Sequence, residues 1–231
     1  MKKLPILALA ALLPVFVQTV AQAKDTDAAA RLDAAADVLT DMMHASDKGI
    51  PQDLMNKSSC VVIVPNLKKA AFLVGGKYGR GFAVCRHASG SGWTAPAAIR
   101  IEGGSFGLQF GGSEQDVLLL VMNQTGMKQL LSDKFTLGGE ASAAAGPVGR
   151  EASAQTDAAM RTEMLSYSRS RGLFAGISLQ GATLRPDADA NREIYGHALA
   201  NREILTGNVK TPAPAEKLEG LLNRNSMRRS N

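Results

Sequence analysis

Cys60-Val-Val-Ile-Val-Pro-Asn-Leu-Lys-Lys-Ala-Ala-Phe-Leu-Val-Gly-Gly-Lys-Tyr-Gly-Arg-Gly-Phe-Ala-Val-Cys85 is the stretch on which the fold turns. Its short β-rich runs, Val61–Val64, Ala70–Val74 and Gly81–Arg86, are separated by glycine and polar residues, a texture of strands rather than helices. Gly75-Gly-Lys-Tyr-Gly79 reads as a hairpin turn, since glycine supplies the positive φ angles such loops require. Working outward, Ala97–Ile101, Phe106–Phe110 and Asp116–Met122 continue the pattern as an antiparallel meander. Gly103-Gly-Ser-Phe-Gly-Leu-Gln-Phe-Gly-Gly112 sets glycines beside larger residues, which predicts a tightly curved sheet or a close backbone approach.

Upstream, Ala28, Leu32, Ala35, Ala36, Leu39, Met42 and Met43 recur at helical spacing, while Asp33, Asp37 and Asp41 repeat every four residues on another face. This predicts an amphipathic helix with an acidic solvent side, packed on its own domain. A second short helix starts near Pro51. Downstream, Thr125–Ser132 reads as a short helix, Lys134–Leu137 as an extended piece and the small-residue run Gly138–Arg150 as a packed strand. Ser166–Leu184 reads as two strands across a Gly172 turn, and Asn191–Leu205 as a helix. Pro212 and Pro214 close the ordered core. Helix, many strands, then helix is the order of an α+β fold. The expectation is a curved antiparallel β-sheet, barrel- or sandwich-like, flanked by amino- and carboxy-terminal helices.

The chain opens with Lys2 and Lys3, an uncharged run from Leu4 to Val20, and Ala21-Gln-Ala23, the three parts of a secretory signal. The expected organisation is a cleaved signal peptide over 1–23, one domain over 24–210 and a flexible basic tail over 211–231 carrying Arg224, Arg228 and Arg229. Cleavage removes two of the 26 basic residues and none of the 21 acidic ones, leaving 24 against 21, a net charge of +3. That mild, scattered charge and an aromatic content of 5% argue against a nucleic-acid partner. A signal peptide implies a periplasmic or secreted protein, soluble or peripheral on an envelope membrane. In that compartment Cys60 and Cys85, at the margins of neighbouring strands, are either a disulfide or two buried thiols.

His44, His87 and His197 have no metal-ligand partner at usable spacing, and neither a Gly-x-Ser-x-Gly elbow nor a phosphate loop occurs. Glu114 with Asp116 and Asp187 with Asp189 sit in polar, turn-like sequence where solvated carboxylates are ordinary. No cofactor and no enzymatic activity are implied. Tyr167-Ser-Arg-Ser-Arg-Gly-Leu-Phe-Ala-Gly-Ile-Ser-Leu-Gln-Gly181 stands apart: an aromatic and two arginines suited to phosphate, then an apolar, glycine-bearing half. Lys77, Tyr78 and Arg80, and Arg86 with Trp93, repeat the mixture of cation and ring.

These pieces resemble the SYLF lipid-binding domain family, which includes yeast actin-patch proteins, animal phosphoinositide-binding proteins and exported bacterial members. The resemblance rests on Val61-Val-Ile-Val-Pro65, Lys69-Ala-Ala-Phe-Leu-Val-Gly-Gly76, Tyr78-Gly-Arg-Gly81, Trp93-Thr-Ala-Pro96, Gly104-Ser-Phe-Gly-Leu-Gln109, Gly146-Pro-Val-Gly-Arg150 and Tyr167–Gly176, in the family's order from about Leu32 to Leu205. It implies a non-enzymatic lipid binder. The acidic face of the first helix departs from the basic helix of eukaryotic members, and the signal peptide makes actin an unlikely partner; phospholipid of a bacterial envelope is the expected ligand. Lys77, Arg80, Arg169 and Arg171 would hold its head group beside an apolar cleft, with Tyr78, Trp93, Tyr167 and Phe174 as the ring-bearing contacts. The alternative is an envelope structural or protein-interaction module without bound lipid, whose protein partner the sequence does not name.

Overall fold

A computed structural model describes residues 27–45, 49–72, 74–106, 111–148, 161–170 and 172–226. The expected signal peptide and residues 227–231 of the expected tail lie outside them. Among the described residues nine strands form one sheet: β1 (Cys60–Phe72), β2 (Val74–Cys85), β3 (Ala97–Phe106), β4 (Gly111–Val121), β5 (Phe135–Thr136), β6 (Ala143–Ala145), β7 (Met164–Ser170), β8 (Leu173–Gly176) and β9 (Thr183–Pro186). Eight run in the order β5-β9-β3-β2-β1-β4-β7-β6, and β8 pairs with β7. Among the described strands all pairings are antiparallel except β6 with β7, and an isolated parallel bridge joins Leu137 to Ala141.

The sheet curls, and chain length requires it. Laid flat, eight strands would set their outer members about 34 Å apart. Yet the edge strands β5 and β6 are joined by the few residues between Thr136 and Ala143, which reach at most about 25 Å. Phe135, Leu137 and Leu184 from one edge accordingly share an inner core with Ala141 and Met164 from the other. The curved α+β architecture expected from the sequence is therefore present, with one parallel pair added.

Both faces are buried, which is why Val61–Val64 is continuously apolar. Val62 and Val64 point into the inner core, whereas Val61 and Ile63 join Phe82, Val84, Leu118, Leu120 and Tyr167 on the outer face. Helix α1 (Ala28–Met43) covers that outer face with Leu32, Ala35, Leu39 and Met42, its start capped by Asp27 accepting from the Ala29 and Ala30 amides. Helix α2 (Gln52–Lys57) precedes β1, α3 (Gln124–Leu130) follows β4, and α4 (Ala188–Tyr195), α5 (Asn201–Thr206) and α6 (Glu216–Asn225) come last among the described residues.

Several boundaries differ from the sequence reading. Val61–Val64 and Ala70–Val74 belong to one long hairpin because Pro65 sits at a bulge, where Asn66 takes a positive φ of 51° and the register with β2 shifts. Phe72 pairs with Val74, so Gly75–Gly79 lie within β2 rather than in a turn. Gly81 is required by the same bulge: a Cβ there would stand 2.0 Å from the Ile63 carbonyl oxygen. The predicted helix Asn191–Leu205 is two helices, broken where Gly196 adopts φ 75°. The small-residue run forms strand only over Ala143–Ala145, and a third strand, β9, follows the Gly172 hairpin to pair with β3. The expected flexible tail is corrected as far as Ser226. A 3₁₀ turn, Ala213–Ala215, leads into α6, whose Leu218 and Leu222 are buried against α1.

Candidate anion-binding face

Most of the sequence-predicted site residues are occupied by the fold. Arg80, on the outer face of β2, donates through Nε to Asp187 Oδ2 at 2.5 Å, and this hydrogen bond holds the guanidinium still more firmly protonated. Asp187 is itself the buried N-cap of α4. Arg169 on β7 is shared between Asp116 Oδ2 on β4, at 3.0 Å, and Asp41 Oδ2 on α1, at 2.5 Å. The acidic stripe of α1 is thus partly neutralised rather than simply solvated, since Lys217 Nζ also reaches Asp37 Oδ1 at 2.8 Å.

The predicted ring contacts are interior. Trp93 is 1% exposed, donates through Nε1 to Ser226 Oγ at 3.0 Å, and carries the Arg86 guanidinium 4.4 Å above its ring. Arg86 donates to the carbonyls of Ser58, Met55, Asn56 and Ser226, tying the end of α2 to the end of α6. Tyr167 is fully buried, donates to the Pro147 carbonyl at 3.3 Å and stacks on Phe174 with centroids 5.6 Å apart; burial pushes its phenol well above the ordinary value. Gly146 is needed beneath it, since a Cβ there would fall 2.1 Å from the ring. Trp93 and Tyr167 therefore have almost no surface to offer a ligand and Phe174 only 8%, which is at odds with the contact role expected of them. Arg171 lies outside the described residues.

Lys77 and Tyr78 stand elsewhere, at the glycine-rich end where β1 meets β2. Lys77 is the direct cross-strand partner of Lys69, with Gly103 of β3 on its far side and Ser113 of β4 beyond Lys69. The row Gly103–Lys77–Lys69–Ser113 runs across four strands on the sheet's inner face. Both lysines are half-buried, and burial lowers both pKa values; Lys77 is lowered further by the charge of Lys69. Lys77 Nζ donates to the Gln180 carbonyl at 3.1 Å. No described acid lies within ion-pair distance of either lysine. On the opposite face the next row holds Glu102, Tyr78, Lys68 and Glu114, with Tyr78 48% exposed.

The sequence reading missed Lys69 because it put the turn at Gly75–Gly79. Centring the hairpin on position 73 makes 69 and 77 symmetric partners. At the other end of the hairpin Cys60 and Cys85 are opposite each other, their sulfurs joined at 2.06 Å. No helix among the described residues is long and apolar enough to cross a membrane, and no described group of three His, Cys, Asp or Glu side chains converges as a metal would need. Two open clefts of about 520 and 580 Å³ lie beside α3, α4 and α5, and none of the predicted site residues lines either.

Residues 102–225 match the family described as Ysc84, Las17-binding protein actin regulator. The chain belongs to this family, the SYLF domain family. It is 34% identical over 184 residues to LAS seventeen-binding protein 3 of Saccharomyces cerevisiae, covering 78% of this chain and 40% of that protein. An SH3 domain-containing protein of Schizosaccharomyces pombe is 37% identical over 177 residues, covering 75% of this chain and 41% of its own length. SH3 domain-containing YSC84-like protein 1 of Rattus norvegicus is 34% identical over 181 residues, 78% of this chain and 53% of that protein. This SYLF chain thus spans about half or less of the length of these relatives. They are named for binding and for domain content, not for a reaction.

The relatives correct two expectations. A periplasmic or secreted envelope protein does not fit a chain whose relatives are these yeast and mammalian proteins. The family's description as a Las17-binding actin regulator likewise overturns the expectation that actin is an unlikely partner.

Proposed function

We propose that this SYLF chain is a non-enzymatic domain that binds the phosphate groups of an anionic phospholipid surface. The observation that carries the reading is the Lys69–Lys77 pair, two half-buried ammonium groups directly opposite one another with no described acid beside them. Like charges in direct cross-strand register destabilise a sheet. A phosphate between them would reverse the sign of that interaction and accept charge-assisted hydrogen bonds. The Ser113 position next to Lys69 offers a further hydroxyl, and the neighbouring Gly76 and Gly112 leave room beside the backbone, whereas Gly103 is closely packed against Gly181 and Ala182. A half-buried row along the sheet that lines neither of the two clefts favours a membrane surface over a swallowed lipid.

The names of the relatives support a second reading, in which the same domain engages a protein of the actin-regulating machinery, as Las17 binding does for the yeast proteins. The two are compatible, because a surface-bound domain can present its remaining faces to a protein. Cosedimentation of the purified chain with phosphatidylserine vesicles and with phosphatidylcholine vesicles, at low and high salt, tests the first. Binding confined to the anionic vesicles and weakened by salt supports it. Equal or absent binding to both, with capture of purified Las17, would leave the protein-binding reading alone.

A further inference from the structure

Gln115 on β4 carries a buried side-chain nitrogen, Nε2, that is hydrogen-bonded to no described group. Buried side-chain donors in folded proteins are in large majority paired, and an unpaired one costs the chain its full desolvation. Gln115 is the register partner of Leu67, and Val117 lies two residues further along β4; both belong to the inner core, which puts Gln115 on the inner face. There it stands one row behind Lys69 and diagonal to it across β1 and β4. Diagonal neighbours are about 7–8 Å apart, within reach of side chains as long as Gln and Lys.

Lys77 stands on the third side. Its stem leans over Gly103, with Cε 2.9 Å from where a Cβ would be, and so turns away from Lys69. Nζ donates one of its three N–H groups to the Gln180 carbonyl. The acids nearest in register, Glu102, Glu114 and Asp116, pair with Tyr78, Lys68 and Arg169 and so occupy the alternate face. Behind the lysines the row is filled. A Cβ at Gly79 would meet Leu67 Cδ1 at 2.7 Å, so the Leu67 side chain lies across Gly79, with buried Ile101 beyond it.

We propose that Lys69, Lys77 and Gln115, with Ser113 beside Lys69, form a site for a phosphate monoester rather than a diester. The proposal rests on the phosphate-binding part of the reading above, whose lysine pair it shares, and names the class of phosphate. A monoester carries about 1.5 to 2 negative charges at pH 7 and three terminal oxygens. It balances both ammonium groups and still offers an oxygen to the Gln115 amide. A diester carries a single charge and two free oxygens, and it brings a second substituent for which the Leu67 floor leaves no path. Phosphatidate and a soluble ester such as glycerol 3-phosphate share the monoester chemistry.

The test is cosedimentation of the full chain with phosphatidylcholine vesicles doped with phosphatidate or with phosphatidylserine, adjusted to the same zeta potential. The chain should bind the phosphatidate vesicles about tenfold more tightly. Gln115→Met removes the amide donor at similar volume. It should hold or raise the unfolding midpoint and bring phosphatidate binding down to the phosphatidylserine level, a loss of about tenfold for one hydrogen bond to a charged group. Gln115→Glu sets a carboxylate beside the lysines; it should raise the midpoint and abolish the preference, and it decides the matter if the methionine variant does not fold. Equal binding of both vesicles by the wild type, or a preference that survives in the folded variants, overturns the monoester site and leaves the surface reading intact. Binding to neither vesicle, with no heat from glycerol 3-phosphate in calorimetry, overturns both. Glycerol 3-phosphate binding without vesicle binding supports the monoester site, assigns it a soluble ester and overturns the membrane surface.

Discussion

Lys69 and Lys77 face each other across the β1–β2 hairpin as direct register partners, half-buried and without a described acid between them. Like charges in direct register cost the isolated domain stability, and on the proposed function the pair is where an anion would sit. The same reasoning sorts the other cations: Arg80 and Arg169 already hold carboxylates and act as fasteners, so they have little left for a ligand.

The first prediction concerns pH. Burial holds both lysines below the ordinary value of 10.5. A cation whose folded pKa is depressed penalises folding while it is charged in both states, and the penalty disappears as pH rises through the folded pKa toward 10.5. Stability of the wild type relative to a Lys69→Gln/Lys77→Gln variant should therefore improve over that alkaline window in paired urea titrations. Vesicle binding should decline over the same window, as the ammonium groups lose their charge.

Arg169→Ala gives the opposite pattern. It breaks the tie between α1 and β4 and leaves Asp116 without its cation, at a cost of about 1 kcal/mol for a partly exposed pair. Denaturant midpoints should fall accordingly, whereas anionic-vesicle binding by the folded fraction should match the wild type. A variant of full stability that had lost binding would return Arg169 to the binding site.

Much of the architecture was legible, and the illegible parts have physical causes. The glycine and β-branched pattern around Cys60–Cys85 was sufficient for a curved sheet, because close strand approach and burial on both faces leave composition signals. Register was not legible: Pro65-Asn66 reads as a break, yet a single positive φ at Asn66 turns it into a bulge and moves the hairpin centre by several residues. That shift hid Lys69. The rings were misjudged because Trp93, Tyr167 and Phe174 have the same sequence appearance whether their polar or cationic neighbours face a ligand or close a core. Only the partners distinguish them, Ser226 and Arg86 for Trp93 and Pro147 for Tyr167. Ion pairs between distant elements, such as Arg169 with Asp41, leave no local trace at all.

Trp93 is the chain's single tryptophan, so intrinsic emission reports the α2–α6 junction alone. It should be blue-shifted in the folded chain and unchanged by vesicles. Trp93→Phe removes the hydrogen bond to Ser226 and should cost about 1 kcal/mol in urea denaturation. Quenching of Trp93 by brominated lipid would show that the ring reaches the membrane after all.

Two glycines in one strand should respond differently to alanine. At Gly81 the new Cβ would stand 2.0 Å from the Ile63 carbonyl oxygen, a backbone clash that should cost about 3 kcal/mol. At Gly76 the nearest described atom is 4.0 Å away, so Gly76→Ala should leave the thermal midpoint within about 2 °C of wild type. Comparable losses at both would mean that the bulge does not press on β2.

The most direct measurement is vesicle cosedimentation and thermal unfolding of Lys69→Gln/Lys77→Gln beside the wild type. Relief of the like-charge pair should leave the midpoint equal or higher, by up to about 1 kcal/mol in stability, while binding to phosphatidylserine vesicles falls at least about tenfold. Wild-type binding by the folded double variant would contradict the assignment of the anion-binding face to Lys69 and Lys77.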